Sequence, residues 1–153
     1  MSLILYTEDD AIMQADGYAV LGEAGYEVMT ASMAPEAIAL LRECGARVSA
    51  LITDINLSGH AEGWSVAEAG RAIRGSLPVI YVSSSDRGAL ATRGVPGGVW
   101  ISKPFEWPRL LRTMSGMLAH QLEGVLRHYP EYRFAKPELR ESWAMVQGTK
   151  SGG

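Results

Sequence analysis

Three apolar runs, residues 3–7, 50–53 and 79–82, are too short for helices and show no in-out alternation. Runs of this kind suit strands buried on both faces, the condition of a parallel sheet covered by helices. Helical stretches lie between them. Residues 11–24 form the first, with Ile12, Ala15, Ala19 and Gly22 expected on the inner face, Asp16 and Gly17 weakening it, and Gly25 ending it. A small strand at 27–30 follows. Pro35 then marks the start of a helix over 35–44, with Ala37, Ile38 and Leu41 inward and Gly45 closing it. A third helix covers 65–73. Between Asp86 and Gly98 the glycines and Pro96 leave at most two helical turns, around 89–92. A last strand, 99–102, precedes a long helix from Trp107, whose Leu110, Leu111, Met114, Met117, Leu118, Leu122 and Val125 keep the spacing of one buried face.

Five strands alternating with helices predict an α/β fold, a doubly wound five-stranded parallel sheet with right-handed crossovers. The 153 residues, 47% hydrophobic and 20% charged, suit one domain with a short C-terminal extension. A net charge of −3 gives no basic field for nucleic acid. No apolar stretch approaches the roughly 18 residues that cross a bilayer, the start is unlike a signal peptide, and Cys44 stands alone. A soluble, cytoplasmic protein is expected, with little disordered sequence before the first strand and a flexible tail over 148–153.

In such sheets the ligand crevice lies at the carboxyl ends of the strands. Glu8, Asp9, Asp54, Ser83 and Lys103 all fall at or just past those ends. Like charges gathered there repel by several kcal/mol unless a cation holds them. Glu8 and Asp9 offer the hard oxygens that Mg²⁺ takes, and Asp54 can serve as ligand and as nucleophile toward phosphorus. Lys103 is a compact point charge suited to a phosphoryl oxygen. Taken alone, the acid pair is equally a helix-start cap, the role read for Asp10.

Glu8-Asp9-Asp10, Asp54-Ile55-Asn56-Leu57, Val82-Ser83-Ser84 and Lys103-Pro104-Phe105, in this order, with Gly25-Tyr26-Glu27-Val28 before the second helix, resemble the receiver domain of bacterial two-component response regulators. The likeness runs over about residues 3–125, so 1–125 is read as the receiver and 126–153 as an extension or linker, partly helical with a flexible tail. It implies the flavodoxin-like receiver fold with strand order 2-1-3-4-5. By position, Asp54 resembles the phosphoacceptor, and Glu8, Asp9, Asp54 and the backbone carbonyl of Asn56 resemble the Mg²⁺ shell. Ser83, Ser84 and Lys103 resemble phosphoryl-binding residues, and Ser83 with Trp100 the switch pair. The implied donor is a sensor histidine kinase or a histidine phosphotransfer protein, the implied listener an unidentified downstream protein, and the resemblance admits a homodimer. It implies a signalling domain with no enzymatic activity beyond its own phosphorylation and autodephosphorylation. A receiver cut from a larger regulator or hybrid histidine kinase fits the same residues. An aspartyl-phosphate phosphatase fits them worse, because Asp54-Ile55-Asn56 lacks a second acid.

Some features depart from the family pattern. The loop after Asp54 is one residue longer, with Ser58 where proline is common, and its His60 is read as a solvent-exposed loop residue. Ser84 and Ser85 leave a path for water. The Gly-rich segment 87–98 shortens the fourth helix, so it is read evenly as a different partner surface or an irregular loop. Trp100 is read evenly as switch or packing residue, whereas Trp64, Trp107 and Trp143 are read as packing, as are Met13, Met29, Met33, Met114 and Met117. Residues 137–146 are expected to form a short amphipathic helix.

Overall fold

The structure, a computed structural model, describes residues 1–84 and 87–130. The chain divides into two compact units, Met1–Leu111 and Arg112–Gly153. In chain order the elements are β1 (Leu3–Thr7), α1 (Ala11–Glu23), β2 (Glu27–Ala31), α2 (Ala34–Cys44), β3 (Val48–Asp54), α3 (Gly63–Ile73), β4 (Val79–Ser83), α4 (Leu90–Arg93), β5 (Val99–Ser102) and α5 (Trp107–His128). The five strands form one parallel sheet in the order β2-β1-β3-β4-β5. This is the flavodoxin-like receiver topology that the resemblance implies.

Side chains alternate between sheet faces along each strand. Leu3, Leu5, Leu51, Val79, Tyr81 and Trp100 join α2 and α3 in one buried cluster, through Ala37, Leu41, Trp64, Val66 and Ala67. Ile4, Tyr6, Ile52, Ile80, Val82 and Ile101 are buried at the alternate positions. Strands β1 and β4 are buried along their whole length and β3 at all but Ser49, as doubly covered strands are, whereas β2 at the sheet edge is exposed at Glu27 and buried only at Ala31.

Helix α1 shows how packing overrides pattern. The expected inner residues Ile12, Ala15, Ala19 and Gly22 are exposed, Ile12 at 76%, and the buried ones are Gly17 and Leu21. The reason lies in other elements: Tyr6 and Trp107, in edge contact at 5.8 Å, fill the space against the helix, and only a residue without a side chain fits over them. Gly17, a weak point by helix propensity, is the contact that lets α1 close on the sheet. Asp10 caps α1 as expected, its Oδ1 accepting from the amides of Ile12 at 2.9 Å and Met13 at 3.0 Å. Gly25 ends the helix region at φ 95°.

Gly45 behaves otherwise. Its φ of −58° keeps the helical hand, and the chain continues into a 3-10 turn, Gly45–Arg47, before β3. Helix α3 starts at Gly63, two residues before the predicted start, because Gly63 packs on the end of β3. A Cβ there would overlap the Asp54 carbonyl oxygen and lie 2.5 Å from Ile55 Cα, while the Gly63 amide donates to Ile55 O at 2.8 Å. The Gly-rich segment contains a 3-10 turn, Arg87–Ala89, and the single-turn helix α4. Tyr81 ties it down, accepting at its hydroxyl from the Val95 amide at 3.0 Å. Of the expected apolar faces, Met33 is 49% and Val125 47% exposed. Met33 flanks the start of α2 as its cap residue, and in α5 it is Leu126 that is buried in place of Val125. Trp143 and the helix expected over 137–146 lie outside the described residues.

Gly17→Ala is expected to destabilise the fold by about 1–3 kcal/mol through overpacking against Tyr6 and Trp107, measured by urea denaturation. Gly63→Ala meets backbone, which moves less readily than a ring, so its loss is expected to equal or exceed that of Gly17→Ala in the same measurement.

Candidate functional site

Strand register brings the charged residues together. Thr7 pairs with Thr53, Asp54 with Val82, and Ser83 with Ser102, so Glu8, Asp54 and Lys103 emerge at one edge of the sheet. The ladder continues past the strands: Glu8 N donates to Ala31 O at 3.0 Å and Lys103 N to Ser83 O at 2.9 Å. Backbone pairing therefore fixes where these side chains start.

Strands β5 and β3 are two spacings apart, about 10 Å, a gap that a lysine stem bridges. Lys103 Nζ lies 2.7 Å from Asp54 Oδ2 and 2.7 Å from Glu8 Oε1. Glu8 is 0% and Asp54 6% exposed, so both carboxylates are nearly out of water. Burial, followed by the Asp54 carboxylate, lifts the Glu8 carboxyl to about 7 against the opposing pull of Lys103. Burial acts to lower Lys103, but its bonds to Asp54 and Glu8 prevail and raise it. Beneath the acids, burial and then the charge of Glu8 raise Tyr6.

Asp9 is exposed, and its Oδ2 accepts from the Ser58 amide at 3.1 Å. Single oxygens of Glu8, Asp9 and Asp54 lie within 4.8 Å of one another. Opposite ligands of an octahedral Mg²⁺ at 2.0–2.1 Å are about 4.2 Å apart, a span of the same order. Three carboxylates less one ammonium leave two formal negative charges, the charge of one divalent cation. Glu8 Oε2 is buried and has no hydrogen-bond partner. An orphaned buried carboxylate oxygen calls for a partner, and the donor set fits a hard cation.

The other expected site residues take these places. Asn56 follows Asp54 and donates its amide to Asp54 Oδ1 at 3.1 Å. Ser83 is buried at the end of β4, and Ser84 beyond it is exposed. Trp100 is 6% exposed on the opposite face to the acids, 6.2 Å from Trp64, which lies 4.9 Å from Tyr81. Its indole N–H donates to Ser102 Oγ at 3.2 Å, and Arg93 sits 5.8 Å over the Trp64 ring. The Lys103–Pro104 bond is cis. His60 is exposed, and its backbone closes a tight turn with Leu57 through reciprocal bonds of 2.8 and 3.1 Å. Ser58 and Gly59, at the turn's centre, have φ of 54° and 80°.

Several contributors carry no clear signal in the sequence. Gly63 reads as one more loop glycine, and Gln14 as a polar helix residue. Ser102 reads as a strand end. A serine–proline difference at 58 is visible, but proline lacks the N–H that Ser58 gives to Asp9.

No family model matches the sequence. No curated protein matches it either. Solved structures do match. A response regulator receiver protein from Sinorhizobium medicae is 32% identical, with 76% of this chain and 94% of that one covered and a TM-score of 0.72. The chemotaxis protein CheY4 of Vibrio cholerae is 26% identical over 76% of this chain and 98% of that one, with a TM-score of 0.68. The receiver domain of the hybrid histidine kinase CckA is 25% identical over 76% and 99%, with a TM-score of 0.64. An identity of 32% spread over nearly the whole of a receiver protein, on the same strand order and with an acidic pocket at the strand ends, identifies the relationship: this chain belongs to the receiver domain family of response regulators.

Proposed function

We propose that the chain is a phosphoacceptor that receives a phosphoryl group on Asp54 from the phosphohistidine of a sensor kinase or phosphotransfer protein. The observation that carries this reading is the Lys103 ammonium held 2.7 Å from both Asp54 and Glu8, beside a buried Glu8 oxygen with no partner. Glu8, Asp9, Asp54 and the Asn56 carbonyl would hold Mg²⁺, which when bound offsets charge on the transferring group.

The chain's own residues do the rest. Asp54 attacks phosphorus in line, the new O–P bond forms as the P–N bond to the donor imidazole breaks, and that nitrogen keeps the electron pair and takes a proton. Lys103 exchanges an Asp54 oxygen for a phosphoryl oxygen, staying paired with Glu8. Ser83 and Ser84 hydroxyls bind the remaining oxygens, and the exposure of Ser84 leaves water a way in. Ser83 and Trp100 carry the change outward. Trp100 is already buried, so what it transmits is a repacking against Trp64 and Tyr81 that reaches α4 through Arg93 and the Val95–Tyr81 bond. A few kcal/mol of differential contact suffices for such a shift.

The exposed apolar residues Ile12, Ala15, Tyr18 and Ala19 of α1 offer the donor a surface close to the pocket. In this reading residues 1–125 are the receiver and 126–153 an extension or linker. Among the described residues no helix is long and apolar enough to cross a membrane.

Acetyl phosphate with Mg²⁺ is expected to add one acid-labile phosphoryl group by intact mass, and Asp54→Asn to add none. An unmodified chain, or an adduct that survives the substitution, would sink the reading. Mg²⁺ at a hundredfold excess over its Kd is expected to stabilise the protein by about 2.7 kcal/mol. Glu8→Gln should remove at least half of that gain in the same denaturation assay.

A further inference from the structure

Gln14 stands in the first turn of α1, but its side chain turns back toward the strand ends. Its Nε2 donates to Glu8 O at 2.9 Å and to Ser32 Oγ at 3.1 Å. A carbonyl only accepts, so the amide nitrogen must face Glu8, and both of its hydrogens are in use. Ser32 is anchored in turn, its amide donating to Glu36 Oε2 at 3.1 Å in the first turn of α2.

The bond to Glu8 matters for where it falls. The Glu8 amide is the last rung of the β1–β2 pairing, to Ala31 O, whereas the Glu8 carbonyl turns to Gln14. That carbonyl belongs to the peptide unit joining Glu8 to Asp9. Fixing the unit fixes the direction in which both carboxylates leave the chain. Asp9 is then held from its far side by the Ser58 amide.

We propose that Gln14 is a positioning residue for the Glu8–Asp9 pair, setting the peptide from which the two carboxylates reach a divalent cation. The inference rests on the cation-binding reading above. A glutamine suits the task because it supplies two donors without charge. A cationic donor here would compete with the divalent ion, and an apolar side chain would leave the Glu8 carbonyl without this bond. Mg²⁺ demands near-ideal octahedral ligands at 2.0–2.1 Å, whereas Ca²⁺ accepts longer and more variable ones. Loosening the peptide should therefore weaken Mg²⁺ more than Ca²⁺.

The test is calorimetric titration of the full chain with Mg²⁺ and with Ca²⁺, comparing wild type, Gln14→Met and Ser32→Ala. Gln14→Met is expected to weaken Mg²⁺ roughly tenfold, the lower range for lost outer-shell partners, and Ca²⁺ by a smaller factor. Ser32→Ala should shift Mg²⁺ in the same direction by less, and the double variant should be no worse than Gln14→Met, since both act through one carbonyl. An unchanged Mg²⁺ affinity, or an equal loss for both ions, overturns the proposal. A second arm needs no metal: amide hydrogen exchange at Ser58, whose N–H bonds Asp9, should quicken severalfold in Gln14→Met while β3 and β4 are unchanged. If the wild type binds no Mg²⁺, the cation reading fails. The exchange arm then decides the positioning role by itself, with unchanged exchange at Ser58 refuting it.

Discussion

One ammonium holds the functional edge of this molecule together. Lys103 leaves β5, crosses β4 and ends between a carboxylate from β3 and another from β1. Removing one partner from a buried ion pair costs several kcal/mol, because a bare charge is left in a poor solvent. The contact thus demands that three strands end at matching heights, which only a parallel sheet in this register provides. It leaves two formal negative charges uncancelled, and that imbalance gives the pocket its chemistry. A fully neutralised edge would be a structural salt bridge. This one remains open to a further cation.

The two sheet faces divide the labour. Glu8, Asp54 and Lys103 follow the side of Tyr6, Ile52 and Ile101, whereas Tyr81 and Trp100 point to the side of α2 and α3. A charged pocket and a cluster of aromatic rings are poor neighbours, and strand alternation separates them without lengthening the chain. They meet through backbone. Gly63 rests on the Asp54 carbonyl, the next residue is Trp64, and Trp64 touches Tyr81 and Trp100. Displacement of the Asp54 main chain meets the first turn of α3 directly, with no side chain between them.

The strands and the charged residues at their ends were legible in the sequence because each is set by local facts: an apolar run, its abrupt end in an acid or a lysine, and the helix after it; the strand order came with the resemblance to receiver domains. What could not be read depended on contacts between distant elements. The inner face of α1 was misassigned because Ile12 and Ala15 satisfy helical spacing, while the surface they would cover is already filled by Tyr6 and Trp107, one before and one long after the helix. Gln14 hid for a similar reason, since its partners Glu8 and Ser32 lie on either side of α1 in sequence and meet only when β1 and β2 pair. Trp100 showed its place but not its state, because burial and a bond to Ser102 are properties of the packed strand end. The short α4 was foreseeable from its glycines, and its tether to Tyr81 was not.

Among the described residues, both side chains paired with Lys103, Glu8 and Asp54, are launched from strand ends and neither from a helix body. The sheet's hydrogen-bond ladder therefore sets the pocket, and helix length drops out of its specification. This explains how α4 can be pared to Leu90–Arg93 while Lys103 still reaches Asp54 and Glu8. Such a scaffold separates chemistry from address: one edge can keep a fixed reaction while the segment between β4 and β5 is rewritten, residue by residue, to suit whichever partner has to listen.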